Sequence, residues 1–433
     1  MAKSGLRHLR LSFTARTLTH FGGVYLLHRF FARLRLKRSV IRTVRFAQRN
    51  ARYSVGELLL ALLYPMLLGF ERLESTHLLT RNGVFQTLTG LPTYPNATTL
   101  RRFLVRLGRD GLPQLRRLHD RWRARVVAAE ARRRFIFDVD STVVVVYGQQ
   151  EQARRGYNPT KRGRRSYHPL VCFEGLSRDY WAGELRPGDA HTALGAVELL
   201  ATCFARLPQD ARRVDVRGDK GFYDGKIVAA LEDRRAGFVI VARLTSPIKR
   251  QLGGLQYAAH RGQVETAEFW YQPHRWPRPY RFVVIRRPLA EDPSAQLTLF
   301  TVKRYTYQVL VTNLDLEPIH LWRFYNDRAG LELIIRELKG DYPLGRVPTK
   351  HFFANEAYFH LLLFAYNLMQ WFKRFCLPEA WQAMTLGTLR SRLFLTPGQF
   401  VRSDNRSILR LPATYPDQDV WRHALKQINR LRL

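Results

Sequence analysis

Carboxylates are scarce in this chain, and a few of them stand at the ends of extended runs with a spacing that suits metal-dependent chemistry. The first group lies in Phe135-Ile-Phe-Asp138-Val-Asp140-Ser-Thr142. Residues two apart on a strand share a face, so Asp138 and Asp140 point the same way. Like charges so placed repel unless a cation lies between them or one projects past the sheet edge; a solvent-facing strand end is the plainer alternative. The second group lies in Arg213-Val-Asp215-Val-Arg217-Gly-Asp219-Lys-Gly-Phe222. A short alternating run meets Gly218 and Gly221 and leaves Asp219 at its carboxyl end, where open α/β sheets place ligands. An Asp ahead of a helix can equally be an N-cap. The third is Tyr325-Asn-Asp-Arg328-Ala-Gly-Leu-Glu332-Leu-Ile-Ile-Arg336-Glu-Leu-Lys339. At about 100° per residue, Tyr325, Arg328, Glu332, Arg336 and Lys339 fall in an arc of about 80°, with Leu331, Ile334, Ile335 and Leu338 opposite. Taken alone, such a stripe is an exposed helix face stitched by i,i+4 pairs.

The three groups gain meaning from their order: a strand Asp, a strand-end Asp, a β-rich stretch, then a helix Glu. Brought to one sheet edge, they offer hard oxygen ligands suited to Mg²⁺ or Mn²⁺. Two such ions about 3.5–4 Å apart can activate a water or a 3′-hydroxyl and stabilise the leaving oxygen of a phosphodiester. Arg328, Arg336 and Lys339 would then hold backbone phosphates. The loop containing Lys161, Arg162, Arg164 and Arg165 can also track phosphates, or remain a solvated turn. His168 and His191 are lone histidines, read as structural or surface groups.

These side chains need elements to position them. At Arg133 the hydrophobic period changes, and short β-type runs begin to alternate with helical ones. Strands are expected at Phe135–Asp140, Val143–Tyr147, Leu170–Phe173, Arg213–Arg217 and Phe238–Ala242, with helices at His191–Leu207 and Lys226–Arg235. The order β-β-β-α-β-α-β is the layout of a ribonuclease-H-like sheet with helices on its faces, with other α/β folds as the alternative. Strand-like runs at Glu265–Tyr271, Tyr280–Ile285, Leu297–Thr301 and Tyr307–Thr312 make 245–317 a β-rich insertion. Helical patterns return from Pro318 to about Lys339 and from about Asn355 to Phe375. Residues 1–130 read as an all-helical basic region, 131–244 and 318–375 as two parts of one core, and 376–433 as a basic C-terminal region without a legible motif.

Composition narrows the function. The 433 residues carry 71 Lys and Arg against 35 Asp and Glu, a net charge of +36, which points to a polyanionic partner. Residues 1–56 hold 13 Lys or Arg and no carboxylate, interleaved with aromatics. No apolar run reaches the roughly 20 residues needed to span a bilayer, and no secretory signal is legible, so a cytoplasmic, membrane-free protein is expected. The three cysteines have no zinc-type or disulfide-type spacing. Phosphate-loop, dinucleotide and zinc-protease motifs are missing as well.

The residues together resemble a known family. The spacing Tyr325-x2-Arg328-x3-Glu332-x6-Lys339 is similar to the Y-R-E-K signature of DDE insertion-sequence transposases of the superfamily numbered four. The Asp-Val-Asp-Ser-Thr segment, Tyr147-Gly-Gln-Gln-Glu and Gly156-Tyr-Asn-Pro-Thr-Lys-Arg-Gly resemble its group numbered thirteen-eighty. The resemblance covers about residues 50 to 375. It implies a catalytic, metal-binding triad of Asp140, Asp219 and Glu332, with two Mg²⁺ or Mn²⁺ ions as cofactors. Asp140 is preferred to Asp138 because the family's first Asp directly precedes a small residue and Thr; Asp138 is the runner-up. The resemblance further implies that Tyr325, Arg328 and Lys339 bind transposon-end phosphates and that the basic N-terminal helices read terminal inverted repeats. Trp270, Trp276 or Trp322 would stack on a flipped base. The partners implied are double-stranded DNA of the element's ends and of the target, with a homodimer in the synaptic complex and a nucleoid-associated, bacterial-type location. The rival expectations are a catalytically inactive, transposase-derived DNA-binding protein and a structure-specific nuclease on the same core.

Overall fold

The computed structural model describes residues 10–47, 52–158, 161–288, 305–404 and 406–433. Its internal contacts divide the chain into two compact units, Met1–Phe103 with Phe372–Arg432, and Leu104–Trp371. Residues 372–432 thus group with the N-terminal residues in the first unit.

The first unit is helical at its N-terminal end. Helices span Val24–Arg33, Leu36–Thr43, Val55–Leu68 and Gly83–Thr89. The Val55–Leu68 helix is apolar almost all round and buried from Leu58 to Leu68, as its sequence requires. Ser54 and Glu57 start it with a reciprocal capping box. The C-terminal part contributes a hairpin, Gly398–Ser403 and Arg406–Arg410, and a helix, Gln418–Arg430. Leu18–Thr19 adds a third antiparallel strand to that hairpin, so the N-terminal region is not wholly helical.

Among the described residues, the second unit is built on one nine-stranded sheet. In chain order its strands are β1 (Arg134–Ser141), β2 (Leu170–Glu174), β3 (Tyr180–Glu184), β4 (Arg213–Gly218), β5 (Gly237–Val241), β6 (Ala258–His260), β7 (Val264–Tyr271), β8 (Tyr280–Pro288) and β9 (Tyr305–Thr312). Their order in the sheet is β6-β7-β8-β9-β5-β4-β1-β2-β3. Strands β1, β4 and β5 run parallel, and all other neighbours are antiparallel. Alternation along β1 sends Phe135, Phe137 and Val139 into a core shared with the Ala196–Ala205 and Gly225–Glu232 helices. On the other face Leu321 of the Pro318–Asn326 helix packs on Val239, Val283, Ile285 and Leu310. Each such buried apolar side chain contributes about 1.5–3 kcal/mol.

Three departures from the sequence reading have local causes. Val143–Tyr147 is not a strand of the main sheet; Val144–Val145 pairs with Arg165–Tyr167 in a small separate sheet that also takes Arg154–Arg155. Its place is taken by Tyr180–Glu184, which forms the edge strand β3. Gly183 fits there because a Cβ would lie 2.8 Å from the Leu170 carbonyl. The β-rich insertion is continuous with the core, since β9 pairs with β5. The expected strand at Leu297–Thr301 lies outside the described residues, apart from which the insertion strands fall where the alternation put them. Finally, the helical run from Pro318 breaks at Asp327–Arg328 into the Pro318–Asn326 and Ala329–Gly340 helices.

Candidate active site

Register decides which carboxylates meet. Asp138 faces Arg217 and Val139 faces Gly218 across the parallel β1–β4 ladder. The ladder ends there: Asp140 is the next residue of β1, and Asp219 directly follows the last residue of β4. Asp219 also caps the short turn Lys220–Phe222, its Oδ1 accepting from the Gly221 N–H at 2.8 Å. Gly221 is required for that approach, because a Cβ would lie 2.5 Å from Thr192 and 2.9 Å from the Asp219 oxygen.

The helix Ala329–Gly340 brings the third acid. Leu331, Ile334 and Leu338 are buried at helical spacing, which turns Glu332 to the exposed side. Burial pushes the Asp140 carboxyl up to about 6; Arg328 opposes the shift, while Asp219 and Glu332 add to it. Asp219 and Glu332 are thus both near enough to act on the Asp140 carboxyl. Among the described residues, no three His, Cys, Asp or Glu side chains stand close enough to hold a metal ion as they are. In donor type the set is all carboxylate, which fits a hard divalent cation.

The basic residues of the expected stripe divide by burial. Arg328 is buried; its Nη2 donates to the Val139 carbonyl at 3.0 Å and pairs with Asp140 Oδ2 at 3.2 Å. Burial works against the Arg328 charge, and Asp140, Tyr325, Asp219 and Asp138 hold it up. Tyr325 is half-buried beside the same acids, and burial raises its hydroxyl. Arg336 and Lys339 face outward. Lys339 is near enough to Asp140 for that carboxylate to support its charge against desolvation.

Asp138, the runner-up first Asp, is engaged elsewhere. It is 3% exposed, and both its oxygens accept from Arg217, at 2.6 and 2.8 Å. Sequence reasoning missed Arg217, because its place opposite Asp138 depends on register between two distant strands.

The remaining candidates lie as follows. Lys161 donates to the Tyr147 hydroxyl, and the Lys161 and Arg164 cations lie 5.0 and 5.9 Å from the Tyr147 ring centre. Arg162 and Arg165 are exposed on the same segment. Trp270 is 67% exposed on β7. Trp276 is buried against Tyr223 and Tyr280, so its ring faces are committed to the core. Trp322 is half-buried, donating to Gln308 Oε1 at 3.1 Å under the Arg287 guanidinium. His168 is buried and donates from Nδ1 to the Ala190 carbonyl at 2.8 Å. The three cysteines are buried and free.

The family described as transposase DDE domain, group 1, matches residues 2–433. The chain belongs to that family. No curated protein matches this transposase. Among solved structures it is similar to the cryo-EM piggyBac transposase synaptic complex with hairpin DNA, at 11% identity over 88% of this chain and 82% of that one, with a TM-score of 0.47. A likeness so remote carries no residue roles. No described helix of the transposase is long and apolar enough to cross a membrane.

Proposed function

We propose that this transposase acts on an insertion sequence: it binds the terminal inverted repeats, cleaves the ends, and transfers the freed 3′-hydroxyls to target DNA as a homodimer. The observation that supports the reading is the β1–β4 register, whose last pair, Val139 and Gly218, directly precedes Asp140 and Asp219, with Asp219 and Glu332 both acting on the Asp140 carboxyl. The strand order β3-β2-β1-β4-β5, with only β1, β4 and β5 parallel, supports a ribonuclease-H-like core. The Tyr325, Arg328, Glu332 and Lys339 spacing supports the superfamily numbered four and, with the motifs around Asp140 and Tyr147, its group numbered thirteen-eighty.

Asp140, Asp219 and Glu332 would hold two Mg²⁺ or Mn²⁺ ions. When bound, such ions supply an activated nucleophile and neutralise the leaving oxygen. The chain's own part is positioning. Arg328 fixes the Asp140 carboxylate against the strand end, and Arg336 and Lys339 offer phosphate contacts on the open side. The exposed cations Lys161, Arg162, Arg164 and Arg165 would track the backbone, with affinity falling steeply in salt. Of the three tryptophans, Trp270 has the exposure that base stacking needs.

The test is a labelled duplex of the DNA flanking the reading frame, incubated with protein and Mg²⁺. End cleavage and joining by the wild type, lost in Asp219→Ala with binding retained, are expected. Cutting without joining would mark a structure-specific nuclease, and binding without cutting a DNA-binding protein alone. Cleavage by Asp219→Ala would remove that residue from the triad.

A further inference from the structure

The Asp138–Arg217 pair takes no part in the chemistry proposed above, yet Arg217 is among the most completely buried large side chains of the molecule. It makes three short bonds. Nε and Nη2 hold the two Asp138 oxygens at 2.6 and 2.8 Å, and Nη1 donates to the Phe324 carbonyl at 2.6 Å. Its guanidinium carbon lies 5.1 Å from the centre of the Phe324 ring. Asp138 and Arg217 sit on β1 and β4, two residues before Asp140 and Asp219 respectively. Phe324 is in the last turn of the Pro318–Asn326 helix, directly before Tyr325.

A buried ion pair is a weak source of stability, because desolvation cancels most of the attraction. Its geometry is stronger than its energy: the planar guanidinium fork fixes direction as a lysine cannot. The third bond goes to a helix C-terminal carbonyl, which carries partial negative charge and favours a cation. Arg328, four residues further on, is tied to the Val139 carbonyl of β1. The junction between the two helices is thus fastened to the strand pair at two points, one from each side.

We propose that Arg217, locked by Asp138, is a positioning residue that sets the start of the Glu332-bearing helix relative to the strand ends carrying Asp140 and Asp219. Its consequence for cleavage rests on the transposase reading; its consequence for the helix junction does not. A loosened junction lets Glu332 wander, and misplacement by about 1 Å can cost about 100-fold in rate.

The test uses the double variant Asp138→Leu/Arg217→Met in the full-length chain. Replacing a buried ion pair by apolar side chains is often neutral or stabilising, so the fold should survive. Hydrogen exchange at residues 325–332 should rise about tenfold while the β1 and β4 amides stay protected. Cleavage of the flanking-DNA duplex should fall about 100-fold, with binding within about twofold and a higher half-saturating Mg²⁺ concentration. Arg217→Lys, which keeps the charge and loses the fork, should fall between the two. Wild-type exchange at 325–332 in the double variant would overturn the proposal, as would wild-type cleavage. If the wild type itself does not cut, the transposase reading fails and the exchange measurement alone decides the clamp; if the double variant does not fold, Arg217→Lys decides it.

Discussion

Two positions on one face of β1, an inner rung of the β1–β4 ladder at Asp138 and an outer one just past its last pair at Asp140, hold Asp in different surroundings. At the inner rung Asp138 meets Arg217 and both its oxygens are filled. At the outer rung burial pushes the Asp140 carboxyl up to about 6 despite Arg328, with Asp219 and Glu332 adding to the shift. A shift of two residues therefore separates a neutralised structural pair from an unbalanced acidic site. The lesson is that the partner across the ladder, and not the residue type, assigns the role.

Several measurements would break or sharpen that contrast. The largest difference is expected in activity: Asp140→Asn or Glu332→Gln should reduce end cleavage by about three orders of magnitude or more with DNA binding retained. Retained cleavage in Asp140→Asn would move the chemistry to the inner rung. In stability the ranking should reverse. Asp138→Ala leaves Arg217 buried without its anion and should cost about 3–5 kcal/mol in denaturant unfolding, more than Asp140→Asn costs. Equal losses would mean the two rungs are not electrostatically distinct.

The pH response is a smaller effect with a definite sign. A carboxyl raised on folding binds its proton more tightly in the folded chain. Its stabilising contribution is thus fully present below the ordinary value of 3.8 and is lost as pH rises through about 6. Wild type should lose stability relative to Asp140→Asn across that window, read by urea titrations at each pH. A flat difference would show Asp140 to be unperturbed. The smallest change is expected far from both rungs: Arg162→Ala should lower DNA affinity only modestly and reduce the salt slope by about one.

Much of this contrast could be read before any coordinates, but not the part that assigns it. Strand β1, strand β4 and the helix around Glu332 follow from alternation and helical period, because those patterns are local. Which Asp faces which residue depends on register between segments far apart in sequence, and no local pattern states it. The edge strand β3 was missed because Tyr180–Glu184 is short and ends in Gly and Glu. Val143–Tyr147 alternates well enough to pass for its neighbour, although it pairs elsewhere. Arg328 looked like one cation of an exposed stripe; the break at Asp327–Arg328 and the short reach to Val139 bury it instead.

The insertion strands that extend the main sheet also set a timetable. Asp140 and Asp219 emerge from the ribosome well before β6 to β9, and Glu332 only after them. Because domains tend to fold as units during synthesis, Glu332 cannot approach Asp140 until the described strands of the sheet have been made. The Glu332-bearing helix is therefore made after the last described strand, and its docking on β1 and β4 waits on the far edge of the fold.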